Sequence, residues 1–415
     1  MADDAFDIAV IGAGMVGTSC ALWLQRSGHR VALIDRTGPG NGTSFGNAGA
    51  FATYACVPIN DPSIPRRIPE LLFSRQSPLS IDWAYAPRML PWLFRFLRNC
   101  SQDRVEAITA SLASLVHQAE AGAFPLFKAS GADALLHSRG CLYLCENEAA
   151  FEKAQGEIAL RRANGIELEI LSADEVGQLE PHLARIYARG LYYPSPHQYI
   201  DPRGAVETMA RHFAAGGGEM IETEISDIAK APDGRLELKA RDRTIRSRQM
   251  VLAAGAFSRR LFGGLIEPLP LETERGYHVV FPGHDGVINR PLGWTGGGFL
   301  MTPMSYGLRA AGTVELGDLS DAKRQANIDY LTRHARRLLP DLPETPESTW
   351  VGHRPTLPDS LPVIGRSGRT PEIIFAFGHQ HLGMTLGGIT GKLVADIVDG
   401  TPPSVDLAPF SPARF

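Results

Sequence analysis

The residues that most constrain this chain are among its first. Phe6 to Ile11 (FDIAVI) is a short apolar run rich in branched residues, the composition of a buried parallel strand. Gly12-Ala13-Gly14-Met15-Val16-Gly17 follows at once. The next stretch, SCALWLQRSG, spaces Ala21, Leu22 and Leu24 as a helix does, and Gly28 closes it. Arg30 to Ile34 (RVALI) reads as a second strand and runs into Asp35-Arg36. Strand, glycine turn, helix, strand and acid, in that order, are the parts of a dinucleotide-binding unit. Gly12 permits the tight turn, Gly14 lets backbone approach a pyrophosphate, and Gly17 lets helix and strand pack closely. The helix start supplies N–H donors and a positive dipole end. Asp35 can accept from ribose hydroxyls.

Three features favour FAD over NAD. The motif starts at residue 12, with no catalytic domain before it. A second small-residue cluster, Thr43-Ser44-Phe45-Gly46-Asn47-Ala48-Gly49, can run along a diphosphate toward a flavin ring. A distant run, Gln249 to Ser258 (QMVLAAGAFS), reads as a strand ending in a turn at Ala254-Gly255. The length of 415 residues suits two domains. A net charge of −4 gives no basic face for nucleic acid. The five cysteines are scattered before residue 146 and form no disulfide framework. The acidic N-terminus lacks the pattern of a signal peptide, and no stretch offers the ~20 apolar residues of a membrane span. The cytoplasm, or its membrane surface, is the expected compartment.

These pieces resemble the glycine oxidase/D-amino-acid oxidase superfamily of FAD enzymes, and most closely its D-amino-acid dehydrogenase branch. GAGMVG (12–17), TSFGNAG (43–49), VLAAGAFS (251–258), GHRPTLPDSLPVIG (352–365) and GHQHLGMTLGGITGKLVADIV (378–398) carry the resemblance. It implies an α/β chain, α+β overall. A Rossmann-type FAD-binding domain would use 1–60, 201–262 and 350–415. An interleaved antiparallel-sheet substrate domain would use 61–200 and 263–349. It implies that backbone near Ile225 meets the adenine. It also implies that the loop at Gly378 passes the flavin pyrimidine, with Leu382, Gly383, Met384 and Thr385 starting a helix aimed at the flavin C2 carbonyl. No cysteine follows Cys145, so the FAD is expected to be non-covalent.

Arg354 is the expected anchor for a substrate carboxylate, since a guanidinium grips it bidentately. Tyr277 is expected to line the site, with His278 on the opposite strand face; Arg275 and Tyr54 are weaker candidates. His379, Gln380 and His381 are expected at the substrate pocket. They lack the partner ligands of a metal site.

The implied reaction oxidises the Cα–N bond of a small amino acid to an imine by hydride transfer to flavin N5. A hydroxylated cyclic substrate such as cis-4-hydroxy-D-proline would suit two pocket histidines, and opine-type N-substituted amino acids come second. The electrons would go to a quinone, to an electron-transfer protein, or to oxygen in an oxidase. A non-catalytic flavin-binding subunit is the reading from a different class. Residues 81–98, IDWAYAPRMLPWLFRFLR, read either as an interfacial helix or as a substrate-domain helix with its aromatic face packed inward, and the second is the expectation.

Overall fold

A computed structural model describes residues 6–73, 78–295 and 297–415, and in it the opening motif sits at the middle of an eight-stranded sheet. The Phe6–Ile11 strand pairs in parallel with Val31–Asp35 on one side and Thr244–Leu252 on the other. Glu219–Glu222 extends the parallel set beyond Val31–Asp35. Ile373–Phe377 runs parallel beside Met250–Leu252, and Val363–Arg366 closes that edge antiparallel. The other end of Thr244–Leu252 carries an antiparallel ribbon of Leu236–Ala240 and Ile225–Lys230. Ile8 to Ile11, Val31 to Ile34 and Ile373 to Phe377 are buried without a break, as a sheet covered on both faces requires.

The helix Met15–Arg26 and the C-terminal helix Gly383–Asp399 pack on this sheet and against each other. Their approach is close because Gly387 and Gly391 face Met15 and Ser19. A Cβ on Gly391 would lie 2.6 Å from the Ser19 carbonyl carbon.

The second sheet has nine strands. Its centre is the antiparallel set Ser348–Thr356, Glu272–Phe281, Gly307–Leu316 and Phe299–Met304. Leu292–Trp294 joins this set in parallel to Cys141–Cys145, which continues to Arg189–Tyr193 and Glu169–Ser172. The sequence-expected elements at Cys141–Cys145, Glu148–Ala163 and Pro202–Ala215 form, and Asp201 caps the last by accepting from the Gly204 N–H at 2.9 Å. The mixed α/β architecture is the expected one.

The helix Ala86–Arg98 packs an aromatic face inward as expected, but not all of its aromatic residues. Met89, Trp92 and Phe96 pack inward, but Leu90 and Phe94 are 62% and 64% exposed, and Trp83 just before the helix is 60% exposed. Two apolar stripes share one helix, and the protein covers only one of them. No helix among the described residues is long and apolar enough to cross a membrane.

Candidate active site

Two cavities meet between the sheets. The first, of about 490 Å³, runs along the open edge of the parallel sheet. Its floor is the glycine turn. Gly12 has φ +105°, and a Cβ there would lie 2.4 Å from the Ala253 carbonyl oxygen. A Cβ on Gly17 would lie 1.7 Å from the Gly12 oxygen, so neither position admits a side chain. Gly14, Met15 and Val16 line the cavity at the helix start. Asp35 ends its strand at the cavity wall, where its carboxylate accepts from the Ala13 N–H at 2.7 Å and the Thr37 N–H at 2.8 Å. Arg36 lies over the Phe257 ring, 3.7 Å from its centroid, and both line the same end. Thr43, Ser44, Asn47, Ile225, Ala254, Gly255, Gly383 and Met384 complete the expected lining that is observed.

This cavity fits an extended dinucleotide. A helix N-terminus faces it, the Asp35 carboxylate stands at its wall, and the glycine at the turn leaves the approach to the helix start open. Ala48 and Leu382 line the second cavity instead. Gly17, Gly49, Gly378 and Thr385 lie behind the walls. Gly378 takes φ +89°, and the Thr385 hydroxyl accepts from the Ala52 N–H at 2.9 Å, tying the C-terminal helix to the chain after the 43–49 loop.

That loop has a support the sequence did not reveal. Arg309 is fully buried and donates to the Phe45 carbonyl at 2.8 Å and the Asn47 carbonyl at 2.6 Å. Thr302 donates to the Ala48 carbonyl at 2.6 Å. An arginine and a threonine of the second sheet thus hold the first cavity's wall through three backbone oxygens.

The second cavity is about 1050 Å³ and shares Thr43, Asn47, Trp350, Gly352 and Gln380 with the first. Its floor is a strand pair. Glu274, Gly276 and His278 stand opposite Arg354, Gly352 and Trp350. The Arg354 guanidinium lies across Gly276, and the Trp350 ring lies across Gly352. A Cβ would meet Arg354 Cζ at 2.3 Å at the first position and Trp350 Cη2 at 1.8 Å at the second. Arg354 donates to the Thr313 carbonyl at 2.8 Å and the Gly312 carbonyl at 3.5 Å, and it makes no ion pair among the described residues. Burial lowers its pKa, with Glu274 pulling the other way; the Glu274 carboxyl is raised by burial, partly offset by Arg354.

Thr313 holds its carbonyl there at a cost. Its φ is +55°, rare for a β-branched residue. The register jumps between Arg275 and Tyr277, so Thr313 and Val314 oppose the single residue Gly276 in a bulge.

The bulged pair also decides which strand face meets the cavity. Tyr277 is turned away from it. Its hydroxyl donates to Glu315, and Arg275 pairs with the same buried carboxylate. Tyr277 belongs to the core under the second sheet, so the expectation of a carboxylate-binding phenol there is corrected. His278 sits on the cavity-side face but is covered, with Nδ1 3.3 Å from the Gly46 carbonyl and its ring stacked on Trp350 at 5.2 Å. Tyr54 does line the cavity, in hydrogen-bond contact with Tyr143 at 3.0 Å and stacked on Tyr193 at 4.5 Å.

The three residues 379–381 divide between compartments. His379 borders the first cavity, with Nε2 2.8 Å from the Thr390 hydroxyl. Burial pushes its pKa down to about 3. His381 stands exposed at the second cavity, where desolvation and the Arg354 charge lower its pKa. Gln380 lies at the junction with φ +48°, its N–H donating to the Pro355 carbonyl at 3.0 Å.

Comparisons with known proteins agree with this geometry. The profile of the DAO family, FAD dependent oxidoreductase, matches residues 7–397. The chain is 34% identical over 415 residues to a D-amino-acid oxidase of Bradyrhizobium diazoefficiens, covering 98% of each. It is 30% identical over 418 residues to a D-amino acid dehydrogenase of Paramagnetospirillum magneticum, again covering 98% of each. Glycine oxidase from Geobacillus kaustophilus shares the fold at a TM-score of 0.77 and 24% identity, over 100% of both chains. The chain belongs to the DAO family of FAD-dependent oxidoreductases.

Proposed function

We propose that the chain oxidises the Cα–N bond of a D-amino acid whose carboxylate is held by Arg354. One observation carries this reading: a guanidinium that bonds only backbone carbonyls among the described residues lines the cavity that adjoins the first cavity. Such a group wants a carboxylate, and a bidentate grip would fix the direction of the Cα–H bond as well as its position. The two curated relatives named for D-amino acids support the stereochemistry.

FAD held along the first cavity, by Gly14, Met15, Ser44 and Gly383 among others, would supply a hydride acceptor for the Cα–H bond. The substrate ammonium first passes a proton to water, and the amine lone pair completes the C=N bond as the hydride leaves. Water then converts the imino acid to a keto acid and ammonia. The protein's share is orientation and solvent exclusion. His381, whose pKa is lowered by desolvation and the Arg354 charge, is neutral at pH 7 and can accept a hydrogen bond from the substrate amine or a substrate hydroxyl. A hydroxylated cyclic amino acid has this one histidine as partner rather than two.

For the electrons we favour a membrane-borne acceptor. Leu90, Phe94 and Trp83 form an uncovered apolar ridge, and Arg88, Arg95 and Arg98 beside it make no ion pair among the described residues. An apolar ridge bordered by arginines suits an anionic membrane face. The relatives divide between oxidase and dehydrogenase, so the ridge is the argument.

The test is anaerobic bleaching of the flavin spectrum of purified protein by D-alanine, D-proline, cis-4-hydroxy-D-proline, glycine and sarcosine. Bleaching by D-amino acids, followed by reoxidation with quinone faster than with oxygen, is expected. Arg354→Lys should retain flavin and lose substrate affinity sharply. A wild type that no amino acid bleaches, or a variant that loses flavin instead of substrate, refutes the reading.

A further inference from the structure

The cavity that holds Arg354 is also lined by Arg161. One face of the Glu148–Ala163 helix, Ala150, Lys153, Ala154, Glu157 and Arg161, lines it. Arg161 is the enclosed member. Its side chain is 15% exposed, and its Nε is buried without a hydrogen-bond partner among the described residues. Its ion pair, at 2.8 Å, is an i,i+4 contact with Glu157, whose carboxylate is 51% exposed. Its Cζ lies 5.9 Å from the Tyr193 ring, beside the wall formed by Tyr54 and Tyr143.

A helix-surface i,i+4 pair normally stands in water and contributes little. Here the arginine is turned off the surface and toward the Tyr193 ring, where a guanidinium with an unmet donor is costly. Lys153, on the same helix face and without an ion pair among the described residues, adds positive charge at the rim. Facing the same space are Glu157, Glu274, Asp61, Arg67, Arg354 and His381. Glu274 stands opposite Arg354 in the strand pair. Arg161 is therefore the enclosed cation whose partner is both incomplete and displaceable.

We infer that the substrate carries a second carboxylate, bound by Arg161 while Arg354 holds the first; this rests on the amino-acid reading above. The class is an acidic D-amino acid or an N-carboxyalkyl amino acid. The tyrosine wall excludes water around the pair and strengthens it.

The experiment compares matched substrates on the holoenzyme: D-glutamate against D-glutamine, and iminodiacetate against sarcosine. The expected result is a kcat/KM preference of at least about tenfold for the dianionic member of one pair, a modest share of what a desolvated charge pair supplies. Arg161→Gln should bring that ratio down to about one, a loss of about tenfold or more. Arg161→Lys should restore part of it. Arg354→Lys should lower both members of each pair alike. Flavin content and the visible spectrum report that each variant is folded. Equal or reversed preference in both pairs overturns the inference while leaving amino-acid oxidation standing. A preference that Arg161→Gln does not change also overturns it. Bleaching by no member of either pair overturns both readings.

Discussion

Gly276→Ala isolates the placement of Arg354 from its charge. Gly276 has no positive φ, so alanine adds no backbone strain. Its Cβ, however, would lie 2.3 Å from Arg354 Cζ and Nη2 and 2.8 Å from Nη1. Non-bonded carbon contacts need about 3.5 Å, so the guanidinium must retreat by roughly 1.2 Å. That movement strains its 2.8 Å bond to the Thr313 carbonyl, which the bulge holds in place. A misplacement of about 1 Å in a positioning group costs about 100-fold in rate, or about 2.7 kcal/mol. The assay is kcat/KM with the best amino acid of the panel, alongside the Kd of an unreactive carboxylate inhibitor read from the flavin spectrum. Both should worsen, while flavin content and Tm stay near wild type. A variant within about threefold of wild type in kcat/KM, with unchanged inhibitor affinity, refutes the idea that Arg354 works from above Gly276.

Three further outcomes follow from other parts of the molecule. Arg309→Leu removes the donors to the Phe45 and Asn47 carbonyls; each charge-assisted bond is worth roughly 1.5–3 kcal/mol, so FAD affinity should fall by about 100-fold or more, and unchanged flavin retention on dilution counts against the role. His379 has a folded pKa of about 3 against an ordinary 6.5; the unfolded chain binds the proton first, so stability is full above pH 6.5 and is lost as pH falls toward 3, by on the order of 1 kcal/mol per pH unit. Urea melts between pH 7.5 and 5 should show a shallower slope for His379→Gln, and an identical slope excludes His379 as a source. Leu90→Asp with Phe94→Asp should abolish co-sedimentation with phosphatidylglycerol-containing vesicles and leave dye-coupled activity intact; wild type that ignores such vesicles removes the membrane argument.

Much of the flavin half was legible because its determinants are local. The glycine turn, the helix after it and Asp35 lie within one strand–helix–strand unit, and Gly12 and Gly17 each have a contact that forbids a side chain. Arg309 was not legible, because it reaches the 43–49 loop from a strand more than two hundred residues away and acts only on carbonyls there. Tyr277 escapes the sequence for a related reason. Strict alternation puts one of Tyr277 and His278 toward the substrate. Alternation holds, since Arg275 and Tyr277 both reach Glu315 on one face and Glu274 and Gly276 line the cavity on the other. Which face meets the cavity is set by the partner strand and its bulge at Thr313, a residue type that gives no hint of a left-handed φ. Arg161 and the Tyr54, Tyr143 and Tyr193 wall come from four separate segments that only the fold assembles.

The stretch His379-Gln380-His381 shows why neighbouring residues need not share a task. Two imidazoles separated by a single residue invite a single site. The left-handed φ of Gln380, fixed by its N–H on the Pro355 carbonyl, sends them apart. His379 is spent on Thr390 of the C-terminal helix and stays neutral, so it secures the loop beside the dinucleotide groove. His381 alone opens into the Arg354 cavity. Exchanging residue 381 should therefore change which substrates are taken, whereas exchanging residue 379 should change acid stability and flavin retention. The Gln380 φ is the reason the two effects separate: a substitution that forces residue 380 out of the left-handed region, such as valine, must disturb both compartments at once.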